Sequence, residues 1–149
     1  RVTPWRGVVL PGLPRESARE LLPALDEAGL ITHDGSPWLG VGACTGLPGC
    51  ARSHRDVRSD AAARITGTGE LTEPAGSPET AARPGLLPVY WSGCERRCGR
   101  PRGDRVDVVA GEDGYTVAVQ AEGSTRKRVV PDGELARAVA SARTHRETE

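Results

Sequence analysis

Apolar positions along this chain switch between a period of two and a period near 3.6, and the breaks fall at Gly and Pro. Residues 2–10 read as a strand that Pro4 interrupts, which places it at an edge or a bulge. Over 15–28, Leu21, Leu22, Leu25 and Ala28 form one stripe at helical spacing, with Gly29 at the C′ position and Pro23 expected to kink the helix. Asp34-Gly35-Ser36-Pro37 is a turn and the expected boundary between two parts, 1–34 and 35–149. Residues 38–43 predict a short strand. Ala51, Val57, Ala61 and Ile65 then recur near helical spacing, predicting a helix over 51–65. Residues 66–85 are Gly, Thr, Glu, Ser and Pro with little apolar content, and read as a linker.

Beyond that linker, 86–91 reads as a buried strand. Residues 105–110 and 114–121 predict a hairpin around Glu112-Asp113-Gly114, and 125–130 add a third strand. Asp132 is a candidate N-cap for a last helix to about 143, striped by Leu135, Val139 and Ala142, and the tail 145–149 is expected to fray. The expected fold class is α+β in α/β layers, a mixed sheet with flanking helices.

Composition narrows the picture. The chain of 149 residues has no Phe, no Met, two Tyr and three Trp, so Val, Leu, Ile and Ala must fill its interior. Formal charge is zero, 20 basic against 20 acidic residues, so no global field attracts nucleic acid or an anionic membrane. No apolar run approaches the length that spans a bilayer, and the expected compartment is the cytoplasm. Charge is uneven, however. Arg96, Arg97, Arg100, Arg102 and Arg105 stand against only Glu95 and Asp104, a cluster suited to an anionic ligand because guanidinium binds carboxylate in a fork.

That cluster flanks one of two cysteine pairs, Cys44-x5-Cys50 and Cys94-x3-Cys98, and the chain has no other cysteine. One helical turn would put Cys94 and Cys98 on one face. Thr45-Gly46-Leu47-Pro48-Gly49 makes a tight loop between the other two, and the predicted helix over 51–65 would put Cys50 at its N-terminus. Three readings compete: a [4Fe–4S] cluster, which takes four cysteines; zinc, whose pairs usually have shorter gaps; and disulfides or free thiols. His54, in the first turn of that predicted helix, is a further candidate ligand or proton donor. Tyr90 and Trp91 are candidate screens of the centre from water, or ordinary core. No catalytic triad, carboxylate dyad or phosphate loop competes for the chemistry.

The stretches Ala43-Cys44-Thr45-Gly46-Leu47-Pro48-Gly49-Cys50-Ala51 and Trp91-Ser92-Gly93-Cys94-Glu95-Arg96-Arg97-Cys98-Gly99-Arg100-Pro101 resemble the cluster motif of the sirohaem sulfite and nitrite reductase superfamily. The Glu-Arg-Arg inside the second pair and the opening Thr3-Pro4-Trp5-Arg6 are most similar to its precorrin-3B synthase branch. Asp56-Val57-Arg58-Ser59-Asp60-Ala61 and Asp107-Val108-Val109-Ala110 agree, and the resemblance covers nearly the whole chain outside the linker.

The resemblance implies a nitrite/sulfite reductase-type [4Fe–4S] domain over 35–149, ligated by Cys44, Cys50, Cys94 and Cys98, after a remnant of a ferredoxin-like half-domain over 1–34. It implies an oxygen-dependent oxidoreductase of aerobic cobalamin synthesis that hydroxylates precorrin-3A and closes a lactone, the cluster passing single electrons. Arg6 (with Arg1 second to it), Arg97 and Arg100 are the implied carboxylate-binding residues, and the intact enzyme carries a mononuclear non-haem iron whose ligands are not evident here. Only one of the superfamily's two copies is present, so a missing N-terminal half or a separate electron donor is an expected partner, and the lone chain is expected to be silent. The alternatives are a fragment of a sirohaem-dependent sulfite or nitrite reductase, and a non-catalytic iron–sulfur module or inactive remnant.

Overall fold

The computed structural model describes residues 1–3, 7–66, 86–121 and 123–144, and its contacts divide the chain into two units, Arg1–Asp34 and Gly35–Glu149. Arg6, the predicted linker after Thr66 and the tail 145–149 lie outside the described residues.

In the first unit the predicted strand over 2–10 is only a single antiparallel bridge, Val2 to Val8, closed by Thr3 N–H on the Gly7 carbonyl (2.8 Å) and Val9 N–H on the Arg1 carbonyl (2.8 Å). Helix α1, Arg15–Glu27, runs through Pro23 without a break. It ends as its Gly predicts: Gly29 has φ +84°, and Leu30 N–H donates back to the Leu25 carbonyl (3.0 Å), the wrapped bond that closes a helix at a left-handed glycine. None of its residues is fully buried, and Leu22 on its stripe stays exposed.

The second unit is α+β, a mixed five-stranded sheet with flanking helices and strand order β1-β2-β3-β4-β5. The strands are β1 (Val41–Ala43), β2 (Val89–Ser92), β3 (Arg105–Ala110), β4 (Tyr115–Ala121) and β5 (Ser124–Val130). β1, β2 and β3 run parallel, and β3-β4-β5 form an antiparallel meander. Alternation sorts the side chains. Val89, Trp91, Val106, Val108, Ala110, Tyr115 and Val117 share one face with Val57 and Ala61 of α2 (Val57–Thr66) and Leu135, Ala138 and Val139 of α3 (Leu135–Arg143). An all-Val, Leu and Ala core with Trp91 and Tyr115 edge-to-face, centroids 5.6 Å apart, fills the space that phenylalanines usually take. β5 is exposed along all but its last residue. Its Arg126, Lys127 and Arg128 keep that open edge from pairing with another chain.

Two helix starts differ from the sequence expectation. α2 begins at Val57 rather than 51, because Asp56 caps it: Ser59 N–H and Oγ–H both donate to the Asp56 carboxylate (3.2 and 2.7 Å), which holds that carboxyl below its usual range. α3 is preceded by a 3-10 turn, Asp132–Glu134, and Asp132 caps nothing with its side chain. Its carboxylate accepts from Arg55 Nη1 (2.7 Å) instead, and that guanidinium lies 5.4 Å from the centre of the Tyr115 ring. Arg143, at the end of α3, donates to the Leu87 carbonyl (3.0 Å) and ties the helix to the chain just before β2.

Candidate functional site

Because β1 and β2 are parallel neighbours with Ala43 beside Trp91, the two cysteine loops leave the sheet side by side at the carboxyl ends of their strands. Open sheets of parallel strands commonly bind ligands at that edge. Two backbone bonds and one from a backbone N–H to a cysteine sulfur join the loops. Cys44 N–H donates to the Trp91 carbonyl (2.9 Å), His54 N–H to the Gly93 carbonyl (2.8 Å), and Gly93 N–H to Cys44 Sγ (3.2 Å). Gly93 permits this approach: a Cβ there would lie 1.8 Å from Ser53 Oγ and 2.7 Å from Ser53 Cβ, inside another atom's volume.

The late start of α2 changes the surroundings of Cys50. It lies in a run of turns, not at a helix N-terminus, with its N–H on the Gly46 carbonyl (2.8 Å) and its carbonyl accepting from Ser53 N–H (3.0 Å). The peptide groups of Leu47 and His54 are already engaged with Arg55 and Gly93, so residues 51–55 cannot also close a helical ladder. Gly46, at φ +66°, lets the loop sit on α2, where a Cβ would stand 2.9 Å from Val57 Cγ2. Arg52 and His54 are accordingly in the loop, not in the first turn of a helix.

Cys94 and Cys98 are not on one helical turn either. Arg97 N–H closes a turn on the Cys94 carbonyl (3.1 Å), and Arg97 itself has φ +50°, the left-handed region that ends such a turn. The loop then folds over the sheet face opposite α2 and α3, where Tyr90 O–H donates to the Cys98 carbonyl (2.7 Å). Tyr90 and Trp91 are both core residues, on opposite faces of β2.

The anchor of that loop is Asp107, whose side chain is 3% exposed on a strand of otherwise mostly aliphatic residues. Arg105 Nε donates to its Oδ1 (2.9 Å) and Arg100 Nη1 to its Oδ2 (3.2 Å), while Arg97 Nη1 stands 3.9 Å off. Arg105, 4% exposed, is further held by the Gly103 carbonyl (2.7 Å) and Gln120 Oε1 (2.6 Å). Arg97 also donates to Glu95 (3.0 Å). The structure therefore places two of the three expected carboxylate-binding arginines, Arg97 and Arg100, on acids of this chain. Sequence reasoning missed Asp107 and Gly93 as the groups that set the loop. A lone acid two residues after an arginine in a valine strand was the available signal for the first.

All four cysteines are free thiols; Cys44, Cys50 and Cys94 are half-buried and Cys98 is exposed. Among the described residues no three His, Cys, Asp or Glu side chains are gathered as a single-ion cage. Tetrahedral zinc, with bonds of about 2.3 Å, draws its sulfurs that close, whereas an iron–sulfur cube holds its cysteines on separate irons and farther apart. The donor set available to such a group is four thiols on two joined loops, one of them, Cys44, accepting a backbone N–H. Ser92 Oγ and Arg97 Nε, both buried, have no hydrogen-bond partner among the described residues.

Where the loops meet, Arg52, His54, Cys94, Glu95 and Arg96 line an open cleft of about 230 Å³. No helix among the described residues is long and apolar enough to cross a membrane. No protein-family model, no curated protein and no solved structure matches this chain.

Proposed function

We propose that residues 35–149 form the nitrite/sulfite reductase-like [4Fe–4S] domain of a precorrin-3B synthase-like oxidoreductase acting in the cytoplasm, which uses oxygen to hydroxylate precorrin-3A and close its lactone. The observation that carries this reading is the joining of the two cysteine loops at the ends of β1 and β2, with Gly93 N–H on Cys44 Sγ. Cys44, Cys50, Cys94 and Cys98 would hold the cluster, which supplies single-electron transfer when bound. The chain's own residues do the rest. Gly93 N–H donates to the Cys44 sulfur, Tyr90 O–H and the Asp107 cluster fix the loop of Cys94 and Cys98, and Cys44 packs against the apolar core that contains Trp91. No residue here is assigned to the mononuclear iron of the intact enzyme.

Anaerobic reconstitution with iron and sulfide tests the proposal. The expected product is brown and binds about four irons per chain. Cys94→Ser should lose the colour, and His54→Ala should keep it. A Cys94→Ser protein with full cluster absorbance refutes the ligand assignment. Precorrin-3A turnover, measured on the chain alone and with an added ferredoxin-like half, tests the activity. A second reading, part of a sirohaem-dependent sulfite or nitrite reductase, draws on the exposure of Cys98, the thiol whose counterpart in those enzymes meets the haem. Sirohaem absorption bands in the purified protein would select it.

A further inference from the structure

Five residues line the cleft at the meeting of the two cysteine loops, and their charges are not balanced among themselves. Glu95, the cleft's only acid, gives its carboxylate to Arg97 at 3.0 Å. Arg97, Arg100 and Arg105 are all engaged with Asp107 or Glu95, whereas Arg52 and Arg96 have no acid partner among the described residues. The backbone of His54 is fixed by its bond to the Gly93 carbonyl, so the loop carrying Arg52 and the loop carrying Arg96 are held at a set separation. Cys94 forms part of the wall between them.

We propose that this cleft is a carboxylate-binding site, in which Arg52 and Arg96 clamp the anion and His54 adds a third donor, beside the Cys94 sulfur. One guanidinium fork pairs with both oxygens of a carboxylate, and the lone pairs that remain can take a second arginine from the opposing loop. At about 230 Å³ the cleft is smaller than pockets that enclose a drug-sized molecule, and takes one small acid or one acidic arm of a larger ligand. The role assigned above to Arg97 and Arg100 passes to Arg52 and Arg96, because the former already hold acids of this chain and the latter do not. In this respect the inference rests on the functional reading for why an acid would be held at this spot, but the cleft and its charge do not depend on which group the thiols hold.

Isothermal titration of the full chain with tricarballylate, its neutral triamide and uroporphyrin tests the site. Saturable one-to-one binding of at least one acid, weakened by salt, is expected, with none for the amide. The tighter of the two acids identifies a small ligand or the arm of a ring as the source. The double variant R52Q/R96Q should bind at least about tenfold more weakly. A control double variant, R126Q/R128Q on the exposed edge strand, should bind as the wild type does. Absence of saturable binding, equal binding of the amide, wild-type affinity in R52Q/R96Q, or equal weakening in the control would each overturn the proposal. Iron and sulfide measured on the same samples separate this from failure of the cluster assignment, since neither arginine substitution removes a thiol. Both side chains are exposed, so the variants should retain the native circular dichroism spectrum.

Discussion

Replacing Asp107 by Asn removes one charge from a site where three arginines converge. Arg105 would be left 4% exposed with neutral acceptors alone, the Gly103 carbonyl, Gln120 and the Asn amide oxygen, a buried cation without a counter-charge. Breaking a buried pair from one side costs about 3–5 kcal/mol, against a total stability of about 5–15 kcal/mol for an ordinary domain. At roughly 4 °C per kcal/mol for a unit of this size, the melting point should fall by about 12–20 °C. Urea unfolding followed by tryptophan fluorescence reads the loss directly, since Trp91 lies in the core. Arg100, 40% exposed, makes its bond to the same carboxylate largely in water, so Arg100→Gln should cost no more than about 1 kcal/mol. The double variant Asp107→Leu with Arg105→Met should recover most of the loss, because it leaves no buried charge unpaired: Arg97 keeps Glu95, and Arg100 is 40% exposed. The reasoning fails if Asp107→Asn loses less than about 1 kcal/mol, or if Arg100→Gln loses as much as Asp107→Asn.

Gly93→Ala drives a methyl into Ser53 and should cost about 1–3 kcal/mol and reduce iron loading; Ser53→Gly in the same chain should restore both, and no restoration would show that the two loops do not meet there. Tyr115 is buried with its hydroxyl on Asp60, and burial first, then that bond, push its pKa well above the usual value near 10. Its contribution is therefore intact below about pH 10 and lost as the pH rises further, because the unfolded chain gives up the proton first. Tyr115→Phe should lose about 1 kcal/mol at neutral pH and show a shallower alkaline decline in a series of urea midpoints. The Asp56 carboxyl, lowered chiefly by the Ser59 hydroxyl, has the opposite sign: its stabilisation is present above the normal carboxylate range and fades as pH falls through the lowered value. Asp56→Ala should accordingly flatten the acid limb of the same series.

Much of the fold was legible as pattern. The meander from β3 to β5 and the helix ending at Gly29 follow from local rules, alternation with a turn in one case and a left-handed glycine in the other. The two helical placements around the cysteines did not follow. Apolar positions recur near helical spacing over 51–65, yet His54 N–H bonds across to the Gly93 carbonyl and the Arg55 carbonyl takes Leu47 N–H, and Arg97 turns left-handed where a helix would have continued. In the first place a partner distant in sequence, Gly93, offered a hydrogen bond that local propensity cannot anticipate.

The same division holds for the site. By itself the sequence determined the supply of chemistry: four thiols in two pairs, and a surplus of arginine beside one of them. Only the tertiary structure decided how those groups are used. The parallel pairing of β1 with β2 set the loops side by side, and Asp107 and Glu95 took Arg100 and Arg97 as ion-pair partners while Arg52 and Arg96 were left without an acid among the described residues. Residue type dictates which interactions a side chain can make, but distance and burial choose among them, and both are properties of the folded chain alone.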